Sequence, residues 1–300
     1  MNRVSRILAG VDFSQTARDA FDYALALGTL YGAEIVVVHA VRPDRPFSWQ
    51  ARARTALLAQ FRQKAAQARV TFSERVQSGD AAEIILLHAG SLRPEVIVMG
   101  THQRSAIERL RLGSVARRVI ARATVPVLLV PADRGASTTP PFRHIAVAVD
   151  FSPSSDAAIE RAIALAAGAN GRLTLIHVVP GFSSTVRPYL DGYAVVPYQD
   201  ERIREARQRL RIAASAAAPA RMPIDTRVVA GDIATEIHRL VDSSGADALV
   251  VGAPRRGALA RAMFGTTAAR LLKSARVPLI AMPDAKRLAT GDGPARRLAA

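Results

Sequence analysis

The chain contains no cysteine, few aromatic residues and no long apolar run. The lack of cysteine excludes disulfide bonds, thiol nucleophiles and cysteine-ligated zinc sites. No window reaches the roughly 18 consecutive apolar residues that a membrane-spanning helix needs. The apolar start at residues 7–11 meets Asp12 too early for a signal peptide. The sequence therefore predicts a soluble cytoplasmic protein with no membrane partner.

Lysine is also scarce, although the net charge of the 300-residue chain is +16. Clustered cations bind nucleic acid by releasing counterions from phosphates. Here lysine occurs only at Lys64, Lys273 and Lys286, and no basic tract carries interleaved aromatic residues. The charge is mostly arginine in an alanine-rich chain, which indicates a compositional bias. Nucleic acid is therefore not an expected partner.

An internal repeat is the most informative feature that is present. An apolar run, a glycine, a basic loop and a Gly-Ser or Gly-Thr step occur twice with equal spacing. Glycine lets the backbone approach a ligand closely, and the free N–H groups and dipole of a helix N-terminus favour an anion. The repeat therefore predicts two phosphate-binding turns. The matched residues are Gly100 with Gly252, Gly113 with Gly265, and Ser114 with Thr266.

Apolar strand patterns alternate with helical patterns along the whole chain. This alternation predicts an α/β fold with a mainly parallel sheet and right-handed crossovers. The repeat divides the chain into a first domain at residues 1–132 and a second at 143–284, joined by a linker at 133–142. A flexible tail is expected at residues 285–300.

The second half carries extra length between its matched landmarks. The offset between the halves is 138 residues at the first strand and 152 residues at the glycine loop. We expect the additional residues in the segment 180–200, which is rich in Gly, Pro, Ser and Tyr. This composition predicts a loop over the open edge of the second unit, of a length that is often functional.

Together these motifs resemble the universal stress protein family in a tandem two-domain form. The matching segments are residues 11–17, 149–156, 98–102, 112–116, 125–130 and 277–282, with strand ends at His39 and His177. The resemblance implies two tandem Rossmann-like (nucleotide-binding alpha hydrolase-like) domains, each with a five-stranded, mainly parallel sheet flanked by helices. It also implies that the halves pair through their last strands within the chain. A homodimer of the whole chain stays an open alternative.

The resemblance further implies an adenine-nucleotide site, for ATP with or without Mg²⁺, at the carboxyl ends of the strands. Open α/β sheets bind ligands there, at a topological switch point. The aspartates would lie near the nucleotide, the residues ending the second strand would contribute to the adenine pocket, and the glycine loops would hold phosphates. The implied site residues are Asp12, Ala40, Gly100, His102, Gly113 and Ser114 in the first half, and Asp150, Val178, Gly252, Arg255, Gly265 and Thr266 in the second.

The chain departs from the family's nucleotide-binding pattern at one position of each loop. Gln103 and Arg255 stand where the pattern has its second glycine. A side chain there hinders close backbone approach to a phosphate. Arg255 would offset this by offering a guanidinium group, whereas Pro254 removes one N–H donor. Nucleotide binding in either half therefore stays open at this point.

Simpler roles also exist for several of these residues. The aspartates that end the first strands, and Ser114 and Thr266, can serve as helix caps. His39 and His177 follow valine-rich strands, so structural histidines are favoured over catalysts. Most arginines that follow the glycine loops are expected on solvated faces, with one or two in each half at a phosphate.

We interpret the sequence as a regulatory or sensing module of the stress response. It would bind adenine nucleotide in at least one half and signal to a protein partner by a conformational change. One alternative is a module without nucleotide that holds another small molecule or a protein through residues 180–200. The other is a weak ATPase, although no catalytic motif is present and no residue can be named as its base.

Overall fold

The computed structural model describes residues 4–41, 47–101, 113–132, 141–181, 192–217, 222–252, 270–271 and 276–283. Within these ranges lie ten strands and seven helices. The strands are β1 (Arg6–Gly10), β2 (Glu34–Val41), β3 (Phe72–Ser78), β4 (Val96–Gly100), β5 (Val127–Val130), β6 (His144–Ala148), β7 (Arg172–Pro180), β8 (Ile224–Gly231), β9 (Ala248–Val251) and β10 (Leu279–Ala281). The helices are α1 (Gln15–Tyr31), α2 (Phe47–Gln67), α3 (Ala81–Leu92), α4 (Ser114–Arg122), α5 (Pro153–Gly168), α6 (Gly192–Ala217) and α7 (Ile233–Ser244).

All ten strands form one sheet in the order β3-β2-β1-β4-β5-β10-β9-β6-β7-β8. Every pairing within a half is parallel. The halves meet where β5 pairs antiparallel with β10, with Leu128 opposite Ile280. The prediction of a five-stranded parallel sheet in each half is therefore confirmed, and the last strands pair within the chain.

Helices cover both faces of this sheet. The core on one face includes residues of α1, α2, α5 and α6, and the core on the other face includes residues of α3, α4 and α7. The central strands are buried on both faces, which explains their nearly unbroken apolar sequences. In β2, for example, Ile35 and Val37 are fully buried on one face while Val38 joins the core on the other. Each core contains residues of both halves.

Matching helix caps begin corresponding helices in the two halves. Ser14 caps α1 and Ser152 caps α5, each through its side-chain oxygen. Asp80 caps α3 and Asp232 caps α7 in the same manner. A cap supplies an acceptor for one of the amides that a helix N-terminus leaves unpaired. These local signals mark where α1, α3, α5 and α7 begin.

The segment 180–200 does not form the loop that the sequence predicted over its whole length. Strand β7 extends to Pro180, and α6 already begins at Gly192. The later residues of α6 are rich in Ala, Arg, Gln and Glu, which favour a helix. The helix therefore extends past Asp200 towards the N-terminus, into the predicted loop. The remainder of this segment, most of the predicted linker and the predicted tail lie outside the described residues. In the part of the chain that the structure describes, no helix is both long and apolar enough to cross a membrane.

Tyr31 joins the two halves on the α1 and α5 side of the sheet. Its ring lies against Gly168, where an added Cβ would be only 2.2 Å from a ring carbon. Its hydroxyl donates a 2.6 Å hydrogen bond to the carbonyl of Leu165. Leu165 is in the last turn of α5, where carbonyls have no partner within the helix. A residue of the first half therefore satisfies the end of a helix in the second.

We expect Tyr31→Phe to lower the free energy of unfolding by about 1–2 kcal/mol, because the buried Leu165 carbonyl loses its donor. Urea denaturation measures this difference. Tyr198→Phe is the control, because Tyr198 is 55% exposed and the change should leave stability almost unaltered. Equal stability of the Tyr31 variant and the wild type would show that this hydrogen bond does not contribute to the contact between the halves.

Candidate functional site

A pocket opens at the topological switch point of the first half. Strands β2 and β3 lie on one side of β1, whereas β4 and β5 lie on the other, so the strand order reverses between β1 and β4. The pocket contains about 560 Å³ of empty space, part of it open to solvent. Its lining residues are 10–12, Ser14, 16–17, Ala81, Ile85, 99–100 and 113–116.

Four of the residues implied for the first half line this pocket: Asp12, Gly100, Gly113 and Ser114. Ala40 lies near the carboxyl end of β2, the strand next to β1, and is not among the lining residues. His102 lies outside the described residues, as does Gln103. The structure thus brings the strand-end aspartate and both ends of the glycine loop to one pocket.

Sequence reasoning did not identify most of the apolar wall of the pocket. Val11, Ala17, Ile85, Met99 and Val115 contribute to it. Ile85 comes from α3 and Met99 from the end of β4. In the sequence, nothing distinguishes these two apolar residues from ordinary core residues. Two further hydroxyl residues that line the pocket besides Ser114, namely Ser14 and Thr16, lie two and four residues after Asp12 in the matched motif, so that motif contained the signal for them.

Asp12 closes the turn that precedes α1. Its Oδ1 accepts a 2.8 Å hydrogen bond from the Ser14 amide, while Ser14 Oγ accepts a 3.1 Å bond from the Ala17 amide. Ser14 is therefore the helix cap, and the alternative that Asp12 caps the helix is wrong. The second half has the same arrangement, because Asp150 Oδ1 accepts from the Ser152 amide at 3.0 Å. A strand-end carboxylate held in this way lies at the pocket wall in the first half.

The N-terminus of α4 forms the opposite side of the pocket. Gly113 occupies the cap position, and within the described residues no side-chain cap bonds the first amides of the helix. Ser114 is the first helical residue and is exposed, so its predicted alternative role as a cap is wrong. Uncapped amides at a helix N-terminus, together with the helix dipole, favour an anion. This terminus is the part of the pocket that suits a phosphate group.

Gly100 has a packing role that the sequence did not reveal. A Cβ at this position would be 2.3 Å from the carbonyl oxygen of Thr16 and 2.5 Å from its carbonyl carbon. The glycine therefore lets the end of β4 pack against the start of α1. This close approach brings Asp12 and the end of β4 to the same pocket.

The turn after the first strand differs between the halves. Ser155 stands where the first half has Ala17, and its hydroxyl donates to Asp150 Oδ1 and accepts a 2.9 Å bond from the Asp150 amide. Phe151 has a φ of 59°, in the left-handed region. A hydroxyl that the first half lacks therefore engages the carboxylate of the second half.

Of the other implied residues of the second half, two lie in or next to strands, and three lie outside the described residues. Val178 is buried in β7, and Gly252 follows β9 directly. Arg255, Gly265 and Thr266 lie outside the described residues. Among the residues that the structure describes, no group of three or more His, Asp or Glu side chains is arranged to hold a metal ion.

His39 and His177 have the same structural role in the two halves. His39 Nδ1 is 2.9 Å from the Val11 carbonyl oxygen, and His177 Nδ1 is 2.7 Å from that of Val149. A carbonyl only accepts, so we assign the proton of each ring to Nδ1. Burial lowers the pKa of both histidines, which favours the neutral form. These contacts support the structural interpretation of the pair.

Two of the arginines near the glycine loops contact carboxylates. Arg118 bonds Asp80 in the first half, and Arg270 bonds Asp232 in the second. The arginine lowers the pKa of each of these carboxyl groups. The sequence had placed one or two arginines of each half at a phosphate. In the structure these two instead connect helical segments of their own half.

The sheet order, the joined last strands and the duplicated turns define a tandem α/β protein of Rossmann-like architecture. The universal stress protein family model matches residues 3–131 and 141–283, so the chain belongs to the universal stress protein family.

Comparisons with individual proteins agree with this membership. A universal stress protein of Mycobacterium tuberculosis is 30% identical over 187 residues, which cover 62% of this chain and 61% of that protein. A universal stress protein of Thermus aquaticus is 35% identical over 132 residues, covering 41% of this chain and 96% of its own length. The crystal structure of an Archaeoglobus fulgidus universal stress protein superposes with a TM-score of 0.71 at 19% identity, covering 94% of this chain and 97% of that chain. At this identity the last comparison supports the fold alone.

Proposed function

We propose that the protein is a regulatory stress protein that binds ATP in the pocket of its first half. The observation that carries this proposal is the meeting of Asp12, Gly100 and the N-terminus of α4, which begins at a glycine cap, in one pocket. The pocket lies at the switch point where open α/β sheets hold ligands. A nucleotide matches its two surfaces, since one is apolar and the other offers amides to an anion.

Each part of the pocket then has a role. The amides of Gly113 and Ser114 hold phosphate oxygens, with the exposed Ser114 hydroxyl as a further donor. Val11, Ile85 and Met99 supply the apolar surface for the base and sugar. Asp12 accepts hydrogen bonds from the nucleoside, and Ala40, on the neighbouring strand, lies on the adenine side. Mg²⁺, where present, enters with the phosphates.

Binding becomes a signal because the nucleotide contacts both the end of β4 and the start of α4. A ligand shifts a conformational equilibrium only through different affinities for the two states. A nucleotide that joins these two segments favours the arrangement in which they are close together. The surface around α4 is then the part of the molecule that a protein partner distinguishes in the bound and free states.

Calorimetric titration with ATP and Mg²⁺ tests the proposal on the whole chain. We expect binding by the wild type and at least a tenfold loss of affinity, about 1.4 kcal/mol or more, in Gly113→Trp. Gly113 has a φ of −56°, which tryptophan adopts without strain, and the larger side chain fills the pocket.

Gly265→Trp, at the matching position of the second half, is the control and should leave this binding unchanged. Absence of binding by folded wild-type protein at millimolar ATP would refute the proposal. Loss of binding only in the Gly265 variant would assign the site to the other half.

A further inference from the structure

Two ion pairs join α3 to α4 beside the pocket. Arg118 contacts both carboxylate oxygens of Asp80, at 2.5 and 2.6 Å. Arg122 contacts both carboxylate oxygens of Glu83 through its two terminal nitrogens. The Arg122 pair, with two nitrogens on two oxygens, fixes the relative orientation of its partners as well as their separation, whereas Arg118 reaches both oxygens of Asp80 through one nitrogen, Nη2.

The positions of the four side chains match along the two helices. Arg118 and Arg122 are four residues apart, so they lie on the same side of α4. Asp80 and Glu83 are three residues apart, so they lie on the same side of the start of α3. Asp80 also caps α3, with its Oδ1 accepting from the amides of residues 82 and 83 at 3.0 and 3.1 Å. The cap and the first ion pair therefore share one carboxylate, which ties the start of α3 to α4.

Both helices contribute to the pocket immediately next to these contacts. Ala81 and Ile85 of α3 line it, as do residues 114–116 of α4. Helix α4 is short, and its buried residues are Ala116, Val119 and Ile120. Apolar packing of so small a face permits sliding and rotation of the helix, whereas two directional ion pairs one turn apart oppose both motions.

We propose that Glu83 and Arg122, with Asp80 and Arg118, are positioning residues that set the N-terminus of α4 for phosphate recognition. This inference rests on the proposed function, because it concerns the phosphate side of the same pocket. The four side chains act through α4 and need not touch the nucleotide.

The second half offers an internal comparison. The pair between Asp232 and Arg270 repeats the pair between Asp80 and Arg118. The sequence positions that match Glu83 and Arg122 are Thr235 and Ser274, which cannot form an ion pair. The second connection is therefore specific to the half whose pocket we assign to the nucleotide.

Charge reversal at Glu83 and Arg122 tests this inference on the full chain, with ATP and adenosine titrated separately. We expect Glu83→Arg and Arg122→Glu each to weaken ATP binding about fivefold, and the double variant to recover to within about twofold of the wild type. Adenosine affinity should stay unchanged in all three variants, because adenosine has no phosphate to place at α4.

The two single variants separate helix positioning from general attraction between charges. Glu83→Arg adds positive charge near the pocket, so attraction alone would strengthen ATP binding, whereas misplacement of α4 weakens it. Stronger ATP binding by this variant would overturn the inference, and so would parallel losses for adenosine or no recovery in the double variant. A wild type that does not bind ATP would instead refute the proposed function.

Discussion

Gly100→Ala is expected to lower the free energy of unfolding by about 3 kcal/mol, near the upper end of the cost of overpacking a well-packed site. The added Cβ would meet the Thr16 backbone at 2.3 Å, and neither a strand nor the first turn of a helix can easily move away. Gly100 is not among the residues with positive φ, so the expected effect is steric. Chemical denaturation with a single-transition fit measures it.

The internal repeat supplies the control for this substitution. At Gly252 the added Cβ would be 3.2 Å from Ser154, a contact that a shift of a few tenths of an ångström relieves. We therefore expect Gly252→Ala to cost about 1 kcal/mol or less. Equal losses in the two variants would show that the close approach of β4 to α1 is not a special requirement of the first half.

The substitution also separates packing from ligand binding. If the glycine served only to admit a phosphate, Gly100→Ala would reduce ATP affinity and leave the stability of the ligand-free protein unchanged. The structure instead predicts a loss of stability in the absence of any ligand. The alanine variant should also bind ATP less well, because the displaced end of β4 lines the same pocket as Asp12.

The fold was predictable because local and global signals agree along most of the chain. Alternating strand and helix patterns predicted the mainly parallel sheet that the structure contains. The caps at Ser14 and Asp80 are local hydrogen bonds between residues close in sequence, so their residue types indicate them. The helix start at Gly192 was missed because the local content of Gly, Pro and Tyr is typical of a loop. In the structure the helix that follows extends into these residues.

The candidate site was predictable only where it depends on short-range motifs. Asp12, Gly100 and Gly113 belong to turns whose residue types carry a conformational meaning. By contrast, the contact between Arg118 and Asp80 joins residues 38 positions apart. The chain has many arginines, and nothing in the sequence shows which of them will face a carboxylate. The packing of Gly100 against Thr16 likewise depends on how a strand end meets a helix start.

Stability should fall steeply as the pH is lowered from 7.5 to 5.5, because buried histidines are held neutral. Burial lowers the pKa of His39, His144 and His177, and the first two are only 6% exposed. The folded state then binds fewer protons than the unfolded state, whose histidines titrate near pH 6.5. Their contribution is fully present above that pH and is lost as the pH falls towards the folded-state pKa values.

Each such histidine contributes at most about 1.4 kcal/mol per pH unit, so the slope from the three together cannot exceed about 4 kcal/mol per pH unit. The lowered pKa values of Asp80 and Asp232 act at lower pH, below the ordinary range of aspartate, and do not obscure this window. Urea denaturation at pH 7.5, 6.5 and 5.5 measures the slope, provided that the unfolding stays reversible.

Asparagine at positions 39 and 177 removes the titrating ring while its amide nitrogen still donates to the carbonyls of Val11 and Val149. We expect each of the variants His39→Asn and His177→Asn to reduce the slope by up to about 1.4 kcal/mol per pH unit, and the double variant to reduce it by the sum. An unchanged slope in the double variant would show that these histidines protonate without cost in the folded protein. The expected result would mean that burial of the two histidines, whose rings tie the ends of β2 and β7 to the turns before α1 and α5, makes both halves sensitive to acid.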